Sequence, residues 1–247
     1  MAHLAIAGGE PLRRTPFPRW PFWNHEEVEV GTATDPYQPA EGAYKITRRI
    51  LEALCDYDTP VGLITRSTMI VRDLDVLRQL ADGPGATVCF SIATVDEKLA
   101  RELEPAAPPP LRRLEAMRAL SNEGVPTVLM LAPVLPGITD DVQQLTDVVQ
   151  AAKEYGATSL HAIALHLGEV TRDAFFGYLR QKRPELVSEY DRLYRGKYAP
   201  SQYQHQVQKV VAAIKARVGF TSRNRRSMPE RERPVSKAPS QLQLFSR

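Results

Sequence analysis

The feature of this sequence that most constrains its fold is a repeated alternation of short apolar runs and amphipathic helical patterns. Five runs of four to eight residues are rich in apolar and β-branched side chains and are bounded by turn residues, which is typical of strands. They cover residues 28–31, 61–65, 87–93, 127–132 and 160–167. An alternation with this repeat predicts a parallel sheet with right-handed crossovers, either a barrel of TIM type or an open doubly wound sheet.

The segments between these runs place apolar residues on one helical face. Such stripes lie within residues 43–54, 74–80, 111–120 and 142–152. For the last stripe, Thr139 or Asp140 is expected as the N-cap and Gly156 as the C-terminal stop.

Three parts of the chain differ in composition. Residues 1–26 contain four prolines and are interpreted as an irregular lead-in, and residues 27–217 hold the barrel and further C-terminal helices. Residues 218–247 hold seven basic and two acidic residues, a net charge of +5, so the preceding residues carry −2 of the chain's +3. Few apolar residues are present there, so a disordered tail is expected. Such a tail either improves solubility or contacts nucleic acid.

Composition and cysteine usage exclude several classes of protein. The chain has no run of 18 apolar residues and no recognisable leader, so we expect no membrane contact and a cytoplasmic location. Cys55 and Cys89 are its two cysteines. They exclude a disulfide scaffold and any metal site built from three or four cysteines of this chain.

Candidate ligand contacts follow the carboxyl ends of the strands, where α/β folds place their sites. Residues 31–41 (GTATDPYQPAE) combine two stiffening prolines with many polar groups. The predicted contacts in this loop are Thr32, Thr34, Asp35 and Tyr37. The alternative is a purely structural turn.

Four further residues are candidates on the later strands. Alternation along residues 87–93 places Cys89 and Ser91 on the face with smaller side chains, which would line a barrel's pocket. The alternative for Cys89 is a small buried apolar residue. Arg66 is a candidate for binding a carboxylate or phosphate, or a solvated loop residue. His166 ends the last strand as a ligand candidate, and since His161 lies on the opposite face, no metal site is predicted.

Taken in order, these loops resemble the spore photoproduct lyase-like branch of the radical SAM superfamily. The resemblance covers about residues 27 to 203. Its main motifs are GTATDPYQPAE at 31–41, LITRST at 63–68, RDL at 72–74, LEP at 103–105, APVLPGITD at 132–140 and ALHL at 164–167.

The resemblance implies an α/β fold, a partial TIM-type (β/α)6 barrel, and a [4Fe-4S] cluster held by Cys-x3-Cys-x2-Cys after the first strand. S-adenosylmethionine binds the fourth iron, and its reductive cleavage yields a radical that abstracts hydrogen from a substrate. In this family the strand that ends in the motif of residues 31–41 is the second one. The expectation is therefore a truncated or degenerate form without its first strand and cluster loop, inactive alone. Its exposed edge strand at 28–31 would favour self-association.

Residue roles also follow from the resemblance. Thr34 and Asp35 occupy the place where the family meets the methionine amino group, and Ser91 occupies a place where polar residues meet the methionine or ribose. Cys89 lies near the position of a cysteine that, in the lyase, returns hydrogen to the product. Two alternatives remain open: a non-catalytic nucleic-acid-associated protein that uses its basic tail, and a cluster-free barrel enzyme with Asp35, Arg66 and His166 as acid–base groups.

Overall fold

The structure is a computed structural model, and it describes residues 25–220. Almost all of the expected irregular lead-in (1–26) and basic tail (218–247) lies outside these residues.

Five parallel strands form one sheet in the order of the sequence. They are β1 (Val28–Val30), β2 (Val61–Thr65), β3 (Ala86–Ser91), β4 (Thr127–Val134) and β5 (Ser159–Ala164). Every neighbouring pair is parallel. The prediction of a parallel α/β sheet is confirmed. This described sheet is not closed, since β1 and β5 lie at its two edges, as in a partial barrel.

Helices follow the strands as the apolar stripes predict. Those of the sheet region are α1 (Glu41–Tyr44), α2 (Ile46–Asp56), α3 (Leu74–Asp82), α4 (Glu97–Leu103), α5 (Pro110–Asn122) and α6 (Val142–Glu154), with a 3₁₀ helix at Thr68–Asp73. The later ones are α7 (Glu169–Lys182), α8 (Val187–Leu193) and α9 (Ser201–Val218), with a 3₁₀ helix at Pro184–Leu186. None of the helices between residues 25 and 220 is long and apolar enough to cross a membrane.

The two faces of the sheet differ in burial. On β3, Val88 and Phe90 are fully buried, whereas Cys89 and Ser91 on the opposite side are half-buried. Val88 and Phe90 belong to the main core together with helix residues such as Leu77 and Met117. The helices therefore cover one side, the outer face, and the side that carries Cys89 and Ser91 is the inner face.

The C-terminal helices form a second, smaller core with the loop that follows β4. Tyr190 stacks on Tyr194 with ring centroids 5.6 Å apart, and both pack with Leu135 and Phe176. The Tyr190 hydroxyl donates a hydrogen bond to the Pro136 carbonyl at 2.8 Å. This packing fixes α7 and α8 beside the carboxyl end of β4.

The N-cap of α6 differs from the prediction. Asp141 is the cap, and its carboxylate accepts from the amides of Gln143 at 2.9 Å and Gln144 at 3.2 Å, the second and third residues of the helix. Thr139 is buried and accepts from the Leu135 amide, while Asp140 accepts from the Gly137 amide. Both predicted caps are wrong because the preceding loop uses their side chains for its own turn. Gly156 follows the helix with φ +96°, as its predicted role as a stop requires.

Replacing Gly31 by alanine is expected to destabilise the fold by about 2 kcal/mol or more. Gly31 has φ +96°, and a Cβ atom there would lie 2.2 Å from the Ile64 carbonyl oxygen. The matched control is Gly177→Ala within α7, where a Cβ meets nothing within 4 Å. That change should stabilise by up to about 1 kcal/mol. Chemical denaturation measures both free energies of unfolding, and a Gly31→Ala value equal to wild type would contradict the packing described.

Candidate functional site

The loop after β1 is tied to the end of β2 by one carboxylate. Asp35 Oδ1 accepts from the Tyr37 amide at 2.9 Å and from the Thr65 hydroxyl at 2.8 Å. Its Oδ2 accepts from the Arg66 amide at 2.7 Å. Because both oxygens are engaged, Asp35 holds the loop across the carboxyl end of the neighbouring strand.

Tyr37 anchors the same loop to the protein interior. It is 3% exposed, and its hydroxyl donates to Asp73 at 3.1 Å. Asp73 is fully buried and also accepts two bonds from Arg72, each 2.9 Å long. Burial, followed by the charge of Asp73, raises the pKa of the Tyr37 hydroxyl. Tyr37 was predicted to contact a ligand, but in the structure its side chain is buried and bonded to Asp73.

The far end of the loop is held by Glu41. Its buried carboxylate accepts from the Ile46 amide at 2.9 Å and pairs with Arg72 at 3.1 Å. These anchors leave Thr32 and Thr34 exposed at the edge of the sheet. Thr34 accepts a bond from Gln38, 2.8 Å long, so the loop presents two hydroxyls from a fixed backbone.

Arg66, the residue after β2, belongs to a cluster of two arginines and one carboxylate. Its Nη1 lies 3.0 Å from Glu104 Oε1, and its side chain is 48% exposed. The other Glu104 oxygen lies 2.7 Å from Arg113 Nη2, whose side chain is 2% exposed. Arg113 also donates to the carbonyls of Ser91, at 2.9 Å, and Pro108, at 2.8 Å. The exposed member of the cluster is therefore Arg66.

Ser91 and Arg66 lie at the carboxyl ends of neighbouring strands. Thr65, the last residue of β2, pairs with Phe90 of β3, and Arg66 and Ser91 are the residues that follow this pair. The Ser91 hydroxyl donates to the Ala132 carbonyl at 3.0 Å, which leaves its oxygen free to accept.

Cys89 lies on the inner face, in the row formed by Ile64 and Val128. Burial raises the pKa of its thiol to about 11, and the negative charges of Glu29 and Glu27 add to this effect. Cys55, by contrast, lies on α2 and packs against the main core. The two cysteines thus belong to different layers of the molecule.

His166 follows β5, two strands beyond Ser91. Its ring packs against Tyr198 with centroids 4.6 Å apart and the ring planes tilted by 37°. Both line a cavity of about 270 Å³ between β5 and the first turns of α9, together with Gln204 and His205. The structure therefore does not bring His166 into the group of Thr34, Asp35, Arg66 and Ser91.

The sequence did not predict two charge clusters, although the motifs that supply them are visible. One is formed by Glu41, Arg72 and Asp73 under the loop, and the other by Glu104 with Arg66 and Arg113. The motif RDL at 72–74 supplies the Arg72 and Asp73 that support the loop, and LEP at 103–105 supplies Glu104. Arg113 lies among the buried residues of α5. A charged residue on the buried side of a helix needs a partner, and this signal could have revealed the second cluster.

Comparisons with known proteins agree with this geometry. The sequence profile of the radical SAM superfamily matches residues 2–149. An uncharacterised protein of Mycobacterium tuberculosis is 36% identical over 228 residues, which cover 92% of this chain and 66% of that protein. A protein of Pseudomonas phage M6, named radical SAM Nalpha-GlyT isomerase, is 26% identical over 120 residues, 48% of this chain and 24% of its own. The chain thus spans less than two thirds of the length of the mycobacterial relative.

Solved structures show the same fold. A spore photoproduct lyase variant with bound AdoMet and dinucleoside spore photoproduct has a TM-score of 0.59 at 12% identity, over 78% of this chain and 58% of that one. Streptococcus suis SuiB bound to precursor peptide SuiA has a TM-score of 0.51 at 16% identity, over 77% and 36%. With the profile covering more than half of its residues, this chain belongs to the radical SAM superfamily.

Proposed function

We propose that this chain binds S-adenosylmethionine at the carboxyl edge of β1, β2 and β3, as part of a radical SAM enzyme. The observation that carries the proposal is the half-exposed Arg66 guanidinium at the carboxyl end of β2. The backbone amide of Arg66 donates to Asp35 of the loop that carries Thr32 and Thr34, and Arg66 and Ser91 each follow the last residue pair, Thr65 and Phe90, of neighbouring strands. This edge is where α/β barrels of this type bind their ligands.

The chemistry of the methionine end fits these groups. Its carboxylate is a partner for the planar Arg66 guanidinium, which forms strong charge-assisted hydrogen bonds. Its ammonium needs acceptors, and the exposed hydroxyls of Thr32 and Thr34, with the Ser91 oxygen, can supply them. Asp35 contributes by fixing this loop to Arg66 rather than by touching the ligand.

His166 is proposed to serve the other end of the ligand. Its imidazole, two residues after β5, is exposed and packs at a tilt against Tyr198, so it offers an aromatic surface and ring nitrogens to an adenosine group. The structural neighbour with bound AdoMet supports the assignment of this ligand class to the fold.

The residues do not fit the cluster that the family uses to cleave S-adenosylmethionine. In the described part of the chain, no three Cys, His, Asp or Glu side chains are grouped to hold a metal. The sequence holds two cysteines, and these lie on α2 and on the inner face of β3. A cluster ligated by three thiolates therefore needs residues that this sequence does not contain. For these 247 residues we propose binding, without reductive cleavage.

Cys89 is proposed as the hydrogen donor of the complete enzyme. A thiol that faces the inside of the barrel and stays protonated retains the S–H hydrogen that such a step requires. The half-buried position and the neighbouring acidic charges keep it in this form.

Replacing Arg66 by glutamine is expected to weaken S-adenosylmethionine binding by about 10- to 100-fold, because a hydrogen-bonded charge pair is lost. Binding of decarboxylated S-adenosylmethionine, which lacks only the carboxylate, should not change. Equilibrium dialysis with each labelled ligand measures both dissociation constants. Arg78→Gln, an exposed arginine on α3, is the control. Equal losses for both ligands would contradict the assigned contact.

The alkylation rate of Cys89 should rise with a midpoint near pH 11, compared with an ordinary thiol pKa of 9.0. The thiolate is the reactive form, so its rate follows ionisation. The measurement uses iodoacetamide and intact mass with a Cys55→Ser chain, and the same chain unfolded in urea should return to the ordinary midpoint. A midpoint at or below the ordinary value in the folded chain would remove the proposed hydrogen donor.

A further inference from the structure

We propose that Glu104 is a positioning residue for the S-adenosylmethionine carboxylate: it aims Arg66 at the ligand, while buried Arg113 cancels the charge of Glu104. This inference rests on the proposed function, because it concerns how the Arg66 contact is built. It assigns a role to a residue that does not itself reach the ligand edge.

The geometry shows one carboxylate bridging two arginines through different oxygens. Glu104 Oε1 lies 3.0 Å from Arg66, and Oε2 lies 2.7 Å from Arg113. Glu104 is 14% exposed, so water competes weakly for either bond. Arg66 comes directly after β2, and its long side chain can adopt many rotamers. The bond to Glu104 removes much of this rotamer freedom.

The charge of the cluster explains why the second arginine is needed. An arginine paired with one carboxylate forms a neutral unit, which attracts a ligand carboxylate poorly. Here two arginines share Glu104, so the cluster carries a net charge of +1, and its exposed member is Arg66. Arg113 thus neutralises Glu104 from inside the protein and leaves the charge of Arg66 for the ligand.

The same buried arginine links the cluster to Ser91. Arg113 Nη1 donates to the Ser91 carbonyl at 2.9 Å, and Nε donates to the Pro108 carbonyl at 2.8 Å. Arg113 is therefore bound to backbone at the end of β3 and in the loop just before α5. Because Glu104 is fixed to Arg113, the position of the Arg66 guanidinium is defined relative to Ser91.

Arg66 keeps donors available for a ligand. A guanidinium has five N–H donors. Among the described residues, the Arg66 side chain gives one of them, on Nη1, to Glu104. The Arg66 guanidinium is planar, bound to Glu104 through Nη1 and part of a half-exposed side chain, so its remaining N–H groups can form two parallel bonds with a ligand carboxylate.

The test compares S-adenosylmethionine with its decarboxylated form in a double-mutant cycle of Glu104→Gln and Arg66→Gln. The ratio of the two dissociation constants isolates the carboxylate contact from any general loss of fold. Glu104→Gln is expected to reduce the preference for S-adenosylmethionine by about tenfold in the wild-type background. In the Arg66→Gln background it should have no effect, because Glu104 acts through Arg66.

The matched control is Glu102→Gln, in the last turn of α4 and two residues before Glu104, which is the C-cap of that helix. Glu102 pairs with Arg183 and accepts from the Tyr178 hydroxyl, and neither contact involves Arg66. This variant should leave the preference unchanged. If Glu104→Gln unfolds at the assay temperature, Glu104→Asp replaces it, since that variant keeps the charge but shortens the reach by one methylene.

Three results would overturn the inference. A stronger preference after Glu104→Gln would mean that Glu104 merely screens Arg66, and an unchanged preference would mean that it does not orient Arg66. An equal effect in both backgrounds would mean that it acts elsewhere. If instead the wild-type chain shows no preference for S-adenosylmethionine over the decarboxylated form, the proposed function itself loses its carboxylate contact.

Discussion

The site depends on the three hydrogen bonds that Asp35 accepts. Consecutive parallel strands end at the same edge of a sheet, but the loops that follow them are free to point in different directions. Asp35 removes that freedom by binding the Thr65 hydroxyl and the Arg66 amide of the next strand. Gly31 permits the approach, since any side chain there would collide with the Ile64 carbonyl. The loop that carries the two threonine hydroxyls is consequently held to the backbone of Arg66.

Two buried charge clusters support this surface in different ways. In the first, Asp73 and Glu41 are balanced by neighbouring arginines, and the cluster fixes the loop from beneath through Tyr37. In the second, the single carboxylate of Glu104 lies between Arg66 and Arg113, and a positive charge remains at the exposed end. Buried ion pairs contribute little net stability. Their value in this protein lies in the geometry and charge that they impose on the edge of the sheet.

The sequence predicts the layered fold well because strand alternation and helical stripes are local patterns. The alternation in β3 correctly separates the buried Val88 and Phe90 from Cys89 and Ser91. The residues of the site are harder to assign because polar side chains serve both ligands and loops. Tyr37 and the two predicted caps of α6 are polar groups used by the protein itself. Long-range pairs such as Glu104 with Arg66, 38 positions apart, leave no local pattern in a single sequence.

Hydrogen exchange with and without ligand tests the central claim most directly. S-adenosylmethionine is expected to slow the exchange of the amides in residues 31–35, 66–68 and 91–92, which form the edge of β1, β2 and β3. The decarboxylated ligand should protect residues 66–68 much less, because it cannot bind Arg66. Protection confined to the cavity beside β5, or equal protection by both ligands, would contradict the proposed site.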